Sequence, residues 1–179
     1  MSTINDKIKI IDIFKIPNLI SLLRIPFAVL IILYSDNPIK YILLILAIFF
    51  DFLDGFLARK LNQTTKLGSI LDPLCDRIFV IMLFIFFFFK MGLLWYSFSL
   101  FFLRDAITVP TATLCILLKK KIEVKARLLG KVVTILQFLV LVVMIFELYL
   151  PTMIGLHLIL VFSIAAIVDY YLFFRRNRK

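Results

Sequence analysis

Four aspartates, Asp51, Asp54, Asp72 and Asp76, stand inside two strongly apolar stretches of this 179-residue chain. The segment reads Asp51-Phe-Leu-Asp54-Gly55-Phe-Leu-Ala58-Arg59, then eight residues, then Gly68-Ser-Ile-Leu-Asp72-Pro-Leu-Cys-Asp76. Asp51 and Asp54 are spaced i,i+3, and Asp72 and Asp76 i,i+4, so each pair shares one face of a helix. The connection from Lys60 to Lys66 is short, which predicts antiparallel neighbouring helices. Asp51 lies about 12 Å along its helix from Arg59, and Asp72 and Asp76 lie about 8 and 14 Å from Leu67, at 1.5 Å per residue. The two pairs therefore match in depth, and four carboxylates can meet in one pocket. Such a cluster repels itself and cannot stay fully ionised alone. Hard oxygen ligands suit Mg²⁺ or Mn²⁺. Two such ions about 3.5–4 Å apart would clamp a pyrophosphate and stabilise in-line displacement at phosphorus. Gly55 and Gly68 leave room for a phosphate or a neighbouring helix, and Arg59 can pair with phosphate.

A plainer reading is that isolated acids pair with Arg or Lys between helices. It accounts for one or two aspartates. It fails for four, with Arg59 and Arg77 the only arginines close in sequence. An intramembrane charge left unpaired costs several kcal/mol.

Composition says what must position these residues. The chain is 63% hydrophobic with 18% charged residues, and its mean hydropathy is +1.08. Soluble domains are nearer half apolar, so lipid is the expected solvent for much of the chain. Long Phe, Leu and Ile runs without alternation predict helices rather than a barrel. A span needs about 20 mostly apolar residues, and six stretches qualify. They run roughly Pro17–Ser35, Pro38–Arg59, Leu67–Phe89, Leu93–Leu118, Leu128–Leu150 and Thr152–Phe174. Residues before Pro17 are too charged to span and are expected to form an N-terminal interfacial helix, with Lys7, Lys9 and Lys15 toward headgroups. No small-residue cleavage site follows, so the N-terminus is not read as a cleavable signal peptide. One domain over 1–179 is expected.

The net charge is +10. Basic residues gather between apolar runs, which fits anionic lipid better than nucleic acid. One set of ends holds Lys7, Lys9, Lys15, Arg59, Lys60, Lys66, Lys119, Lys120, Lys121, Lys125, Arg127, Arg175, Arg176, Arg178 and Lys179; the other holds Lys40 and Lys90. Six spans with this asymmetry place both termini and the aspartates at the cytoplasmic side of the cell inner membrane.

The spacing D-x2-D-G-x2-A-R-x8-G-x3-D-x3-D resembles the signature of the CDP-alcohol phosphatidyltransferase family. All eight fixed positions over residues 51–76 agree. The resemblance implies an all-α integral membrane enzyme with six transmembrane helices, usually a homodimer, that uses two divalent cations. It implies that Asp51 and Asp72 bridge both ions, that Asp54 completes the first site and Asp76 the second, and that Asp76 also serves as general base. It further implies that Gly55, Ala58, Arg59, Thr65 and Gly68 hold the CDP part of a CDP-diacylglycerol donor. The flanks Ile16-Pro17-Asn18-Leu19-Ile20-Ser21-Leu22-Leu23-Arg24 and Gly130-Lys131-Val132-Val133-Thr134-Ile135-Leu136-Gln137 look like the phosphatidylglycerophosphate synthase branch, which acts on sn-glycerol 3-phosphate. The Arg104-Asp105 pair also resembles CMP-forming cardiolipin synthases, whose acceptor is phosphatidylglycerol.

Outside the signature, Arg104, Arg127 and Lys131 are candidates to bind a phosphate on the acceptor. The competing reading pairs Arg104 with Asp105 or Asp169 and leaves the other two to topology. Asn18 and Arg24 are candidates to touch the donor headgroup. His157 is expected to make a polar contact between helices, Glu147 to sit at the interface, and Cys75 and Cys115 to behave as small buried hydrophobes. Intramembrane acids also mark cation paths, but a transporter gives no reason for Gly55, Arg59 and Gly68 at their spacings.

Overall fold

The computed structural model describes residues 16–60, 68–117 and 128–176. Those residues are all-α, with no strand. Seven helices follow in order: α1 Ile16–Leu22, α2 Arg24–Leu33, α3 Ile39–Lys60, α4 Gly68–Lys90, α5 Tyr96–Leu117, α6 Leu128–Ile145 and α7 Tyr149–Arg176. The expected interfacial helix over residues 1–15 lies outside the described residues.

The first apolar stretch is two helices rather than one. The interruption falls at Leu23, whose N–H is shared between the Leu19 and Ile20 carbonyls at 3.2 and 3.0 Å. Pro26 explains its place. Proline has no N–H to give to the carbonyl four residues back, that of Leu22. At the head of α3, the Asn37 side-chain oxygen accepts the Ile39 N–H at 3.0 Å, a local cap for an otherwise orphan donor.

Two turns end in the same way with different residues. After α4, Gly92 has φ +60, and the Leu93 and Gly92 amides donate to the Phe88 and Phe89 carbonyls at 3.1 Å each. This is the Schellman pattern, in which a left-handed residue closes the helix end. After α6, Glu147 takes φ 58, with Leu148 donating to Val143 and Glu147 to Met144. A non-glycine residue there carries a steric cost. The Glu147 carboxylate also accepts from Lys90 at 3.0 Å.

The helices group into two compact units, Met1–Phe86 and Phe87–Lys179, with the boundary inside α4. In the first, α1 and α2 both pack on α3, with Ala28, Ile31, Leu44 and Ala47 buried. In the second, α7 packs on α5 and α6, around Phe101, Leu141, Met144, Leu156 and Ile159. Small residues allow the close approach. A methyl group added at Gly155 of α7 would lie 2.4 Å from Val140 of α6.

The outward faces are apolar. Ile45, Phe49, Phe52, Leu128, Leu150 and Val161 are all exposed. In water such patches would drive aggregation; in lipid they are solvated. Among the described residues, Leu128–Ile145 and Tyr149–Tyr170 are long and apolar enough to cross a membrane, with mean hydropathy 2.5 and 2.2.

Candidate active site

The site begins on α1 and α2. Asn18, Ser21 and Arg24 recur every third residue, and all three are buried. Spacing i,i+3 puts Asn18 and Ser21 on one face of α1, and Arg24 opens α2 one turn later. That polar stripe meets the two aspartate-bearing helices. The Ser21 hydroxyl donates to Asp72 Oδ1 of α4 at 2.6 Å. Arg24 donates through Nη2 to Asp51 Oδ1 of α3, and its Nη1 pairs with Asp76 Oδ1 of α4. One guanidinium therefore joins a carboxylate from each helix, and a hydroxyl one turn earlier takes a third.

Burial divides the partners. The Arg24 side chain is 6% exposed, while Asp51 is 57% exposed and Asp76 54%. The cation is fixed among packed helices and the carboxylates face open space. A buried arginine is stable only with such partners, because its desolvation is otherwise too costly. This countercharge comes from far along the chain: Arg24 is 27 positions from Asp51. Arg59 and Arg77 are the arginines close in sequence, and the fold brings in Arg24 from farther away.

Asp51, Asp72 and Asp76 each carry hard carboxylate oxygens, the kind of ligand that suits Mg²⁺ or Mn²⁺. Among the described residues no group of three or more His, Cys, Asp or Glu side chains is placed to hold a metal ion. Asp54, Gly55, Ala58 and Arg59 lie on α3 and Gly68 opens α4, but their side chains lie outside the described set. Thr65 and Arg127 lie outside the described residues.

A second polar node lies in the second unit. Arg104 of α5 is 8% exposed. Its Nε and Nη2 donate to Asp105 Oδ1 at 3.2 and 2.9 Å. Its Nη1 donates to the Gly130 carbonyl and to Thr134 Oγ1 at 3.0 Å. Gln137 of α6 closes the node, donating to Asp105 Oδ2 at 3.0 Å and to the Phe101 carbonyl at 2.8 Å. Arg104 is thus paired with Asp105 rather than Asp169. Lys131, the next residue after Gly130, is exposed.

Sequence reasoning did not single out Ser21, Gln137 or Thr134. The signal for Ser21 was its spacing between Asn18 and Arg24. For Thr134 and Gln137 it was the i,i+3 polar pair within an otherwise apolar helix. His157 bonds within its own helix, Nδ1 to the Met153 carbonyl at 2.7 Å, rather than between helices; its ring lies 6.5 Å from that of Tyr96. Cys75 is buried, as expected; the Cys115 side chain lies outside the described set.

Sequence comparison bears on the same carboxylates. The profile of the CDP-alcohol phosphatidyltransferase family matches residues 14–170. The chain belongs to that family. Among curated CDP-alcohol phosphatidyltransferases, it is 47% identical over 68 residues to a protein of Aquifex aeolicus named CDP-diacylglycerol–glycerol-3-phosphate 3-phosphatidyltransferase, covering 36% of this chain and 38% of that one. It is 45% identical over 73 residues to the protein of that name from Wigglesworthia glossinidia brevipalpis, 37% of this chain and 40% of the relative. It is 43% identical over 79 residues to the CDP-diacylglycerol–inositol 3-phosphatidyltransferase of Candida albicans, 42% of this chain and 34% of the relative. The matched stretches thus span about two fifths or less of the length of these relatives.

Proposed function

We propose that this chain transfers a phosphatidyl group from CDP-diacylglycerol to sn-glycerol 3-phosphate, releasing CMP, in phospholipid synthesis. The observation that carries the reading is the convergence of Asp51, Asp72 and Asp76, from two apolar helices, on the Ser21–Arg24 stripe. An apolar chain has no structural need for so many acids. Family membership supplies the chemistry they would serve.

In the reaction, the acceptor hydroxyl attacks the phosphorus that bears the diacylglycerol. The bond from that phosphorus to the CMP oxygen breaks, and CMP departs. The hydroxyl proton passes to the Asp76 carboxylate, which faces open space and so is placed to receive it. Asp51, Asp54, Asp72 and Asp76 would hold two divalent cations, Mg²⁺ or Mn²⁺, which when bound offset the charge on the pyrophosphate. Gly55, Ala58, Arg59, Thr65, Gly68 and Asn18 would hold the CDP-lipid. Lys131 and Arg127 would read the acceptor phosphate, with Arg104 fixing the helix that carries Lys131. The chain would act as one domain of six spans with a homodimeric partner, in the inner membrane, with termini and site toward the cytoplasm. The extreme Lys and Arg asymmetry supports that orientation.

Relatives with glycerol 3-phosphate and with inositol in their names match over similar stretches, so the signature region does not select the acceptor. An acceptor panel does. Purified protein with CDP-diacylglycerol should form phosphatidylglycerophosphate from sn-glycerol 3-phosphate at a higher rate than any product from phosphatidylglycerol, inositol or serine. A preference for phosphatidylglycerol would make the product cardiolipin, the reading favoured by the Arg104-Asp105 pair alone.

A further inference from the structure

Arg24 bridges two carboxylates that come from different helices, in the manner of a bridging cation. We propose that Arg24 is a built-in counter-cation: it holds Asp51 and Asp76 together while no divalent ion is present, and must give up those carboxylates when one binds. The inference rests on the metal-dependent reading above, in which Asp51 and Asp76 share the second ion, and adds a residue outside the signature to the loading of that site.

Three observations carry it. Arg24 engages one oxygen from each aspartate, Oδ1 in both cases. It is buried while both aspartates are more than half exposed, so the carboxylates are free to turn and the guanidinium is not free to follow. The third carboxylate, Asp72, accepts from the neutral hydroxyl of Ser21, a contact that brings no positive charge.

Two opposed effects follow from one placement. Without a divalent ion, the positive charge of Arg24 offsets the mutual repulsion of the acids and keeps α3 and α4 in register at the site. During loading, Asp51 must loosen a charge-assisted hydrogen bond to Arg24 and Asp76 an ion pair with it, and a fixed positive charge near the site repels the incoming ion. Both loading effects lower metal affinity. An organising role, in which Arg24 merely aims the carboxylates, would raise it. The sign of the change on removing Arg24 therefore separates the two.

The experiment uses purified full-length protein without substrate. Mn²⁺ is titrated with free ion read by electron paramagnetic resonance, and thermal unfolding is followed with and without saturating Mn²⁺. Arg24→Met should bind Mn²⁺ at least about tenfold more tightly at one site, a change of about 1.4 kcal/mol. Its metal-free form should unfold at a lower temperature than wild type, and Mn²⁺ should raise that temperature by more than it does in wild type. Arg24→Lys, which keeps the charge, should stay within about threefold of wild type in Mn²⁺ affinity, a change well under 1.4 kcal/mol. Unchanged or weaker Mn²⁺ binding by Arg24→Met would overturn the proposal. So would an Arg24→Met protein that is equally unstable at saturating Mn²⁺, since the ion then does not replace the guanidinium. If wild type binds no Mn²⁺, the metal-dependent reading itself is wrong, a result distinct from an unchanged Arg24→Met.

Discussion

Removing the Arg104 side chain tests whether the α5–α6 node is structural or part of acceptor binding. The Arg104 and Asp105 side chains are only 10% and 12% exposed. Arg104→Ala deletes two hydrogen bonds to Asp105 and the bonds to Gly130 and Thr134, and it strips the buried Asp105 of its cation. Breaking a buried ion pair from one side costs about 3–5 kcal/mol, because the other charge is left behind. For a chain of this size each kcal/mol shifts the unfolding temperature by roughly 2–4 °C, so a fall of about 6–20 °C is expected. Adding Asp105→Asn should recover about 1–3 kcal/mol, since the orphaned charge is gone and Gln137 still finds an oxygen. The assay is thermal unfolding of detergent-solubilised protein, paired with KM for each substrate. On this reasoning both KM values move together, by no more than about threefold, because uniform loss reflects folding rather than one lost contact. An unfolding temperature within about 2 °C of wild type, with acceptor KM alone raised about tenfold or more, would refute it and make Arg104 an acceptor ligand.

Other substitutions probe separate parts of the account. Asp51→Asn, Asp72→Asn and Asp76→Asn should each abolish turnover while the protein still folds into membrane, since each keeps size and removes one anionic ligand; near wild-type turnover by Asp76→Asn would disprove its role as base. Lys131→Ala should raise acceptor KM by about ten- to a hundredfold, the loss of one charge-assisted phosphate contact of roughly 1.5–3 kcal/mol, with donor KM little changed; equal change in both would return Lys131 to topology. Gly155→Ala should destabilise by about 1–3 kcal/mol, because its methyl would overlap Val140 and cores resist overpacking; an unchanged unfolding temperature would mean that α6 and α7 can separate at no cost.

The parts of this protein that follow from local pattern were legible before the fold was known. Apolar stretches located each long helix within a few residues. The spacing of Asp72 and Asp76 put both on the face of α4 that meets the Ser21–Arg24 stripe. What depended on distant parts of the chain was not legible. Arg24 pairs with Asp51 and Asp76 only because α1 and α2 pack on α3, and spacing within one segment carries no trace of that. The break at Leu23 was readable from Pro26 but was masked by the uniform hydropathy on either side. Glu147 in a left-handed turn runs against residue preference, so sequence gave no reason to place a turn on it. Arg104 was readable as a partner of Asp105, but its bond to the carbonyl of Gly130 was not, since sequence does not display a backbone contact.

The most direct measurement of the central claim is CMP release by the purified protein from CDP-diacylglycerol and sn-glycerol 3-phosphate, with Mg²⁺ or Mn²⁺ and again with excess chelator. The account predicts CMP and phosphatidylglycerophosphate in equal amounts with the ion and no turnover in chelator. Full turnover in chelator would contradict the role given to the aspartates, and absence of CMP with every acceptor alcohol would contradict the transferase reading itself.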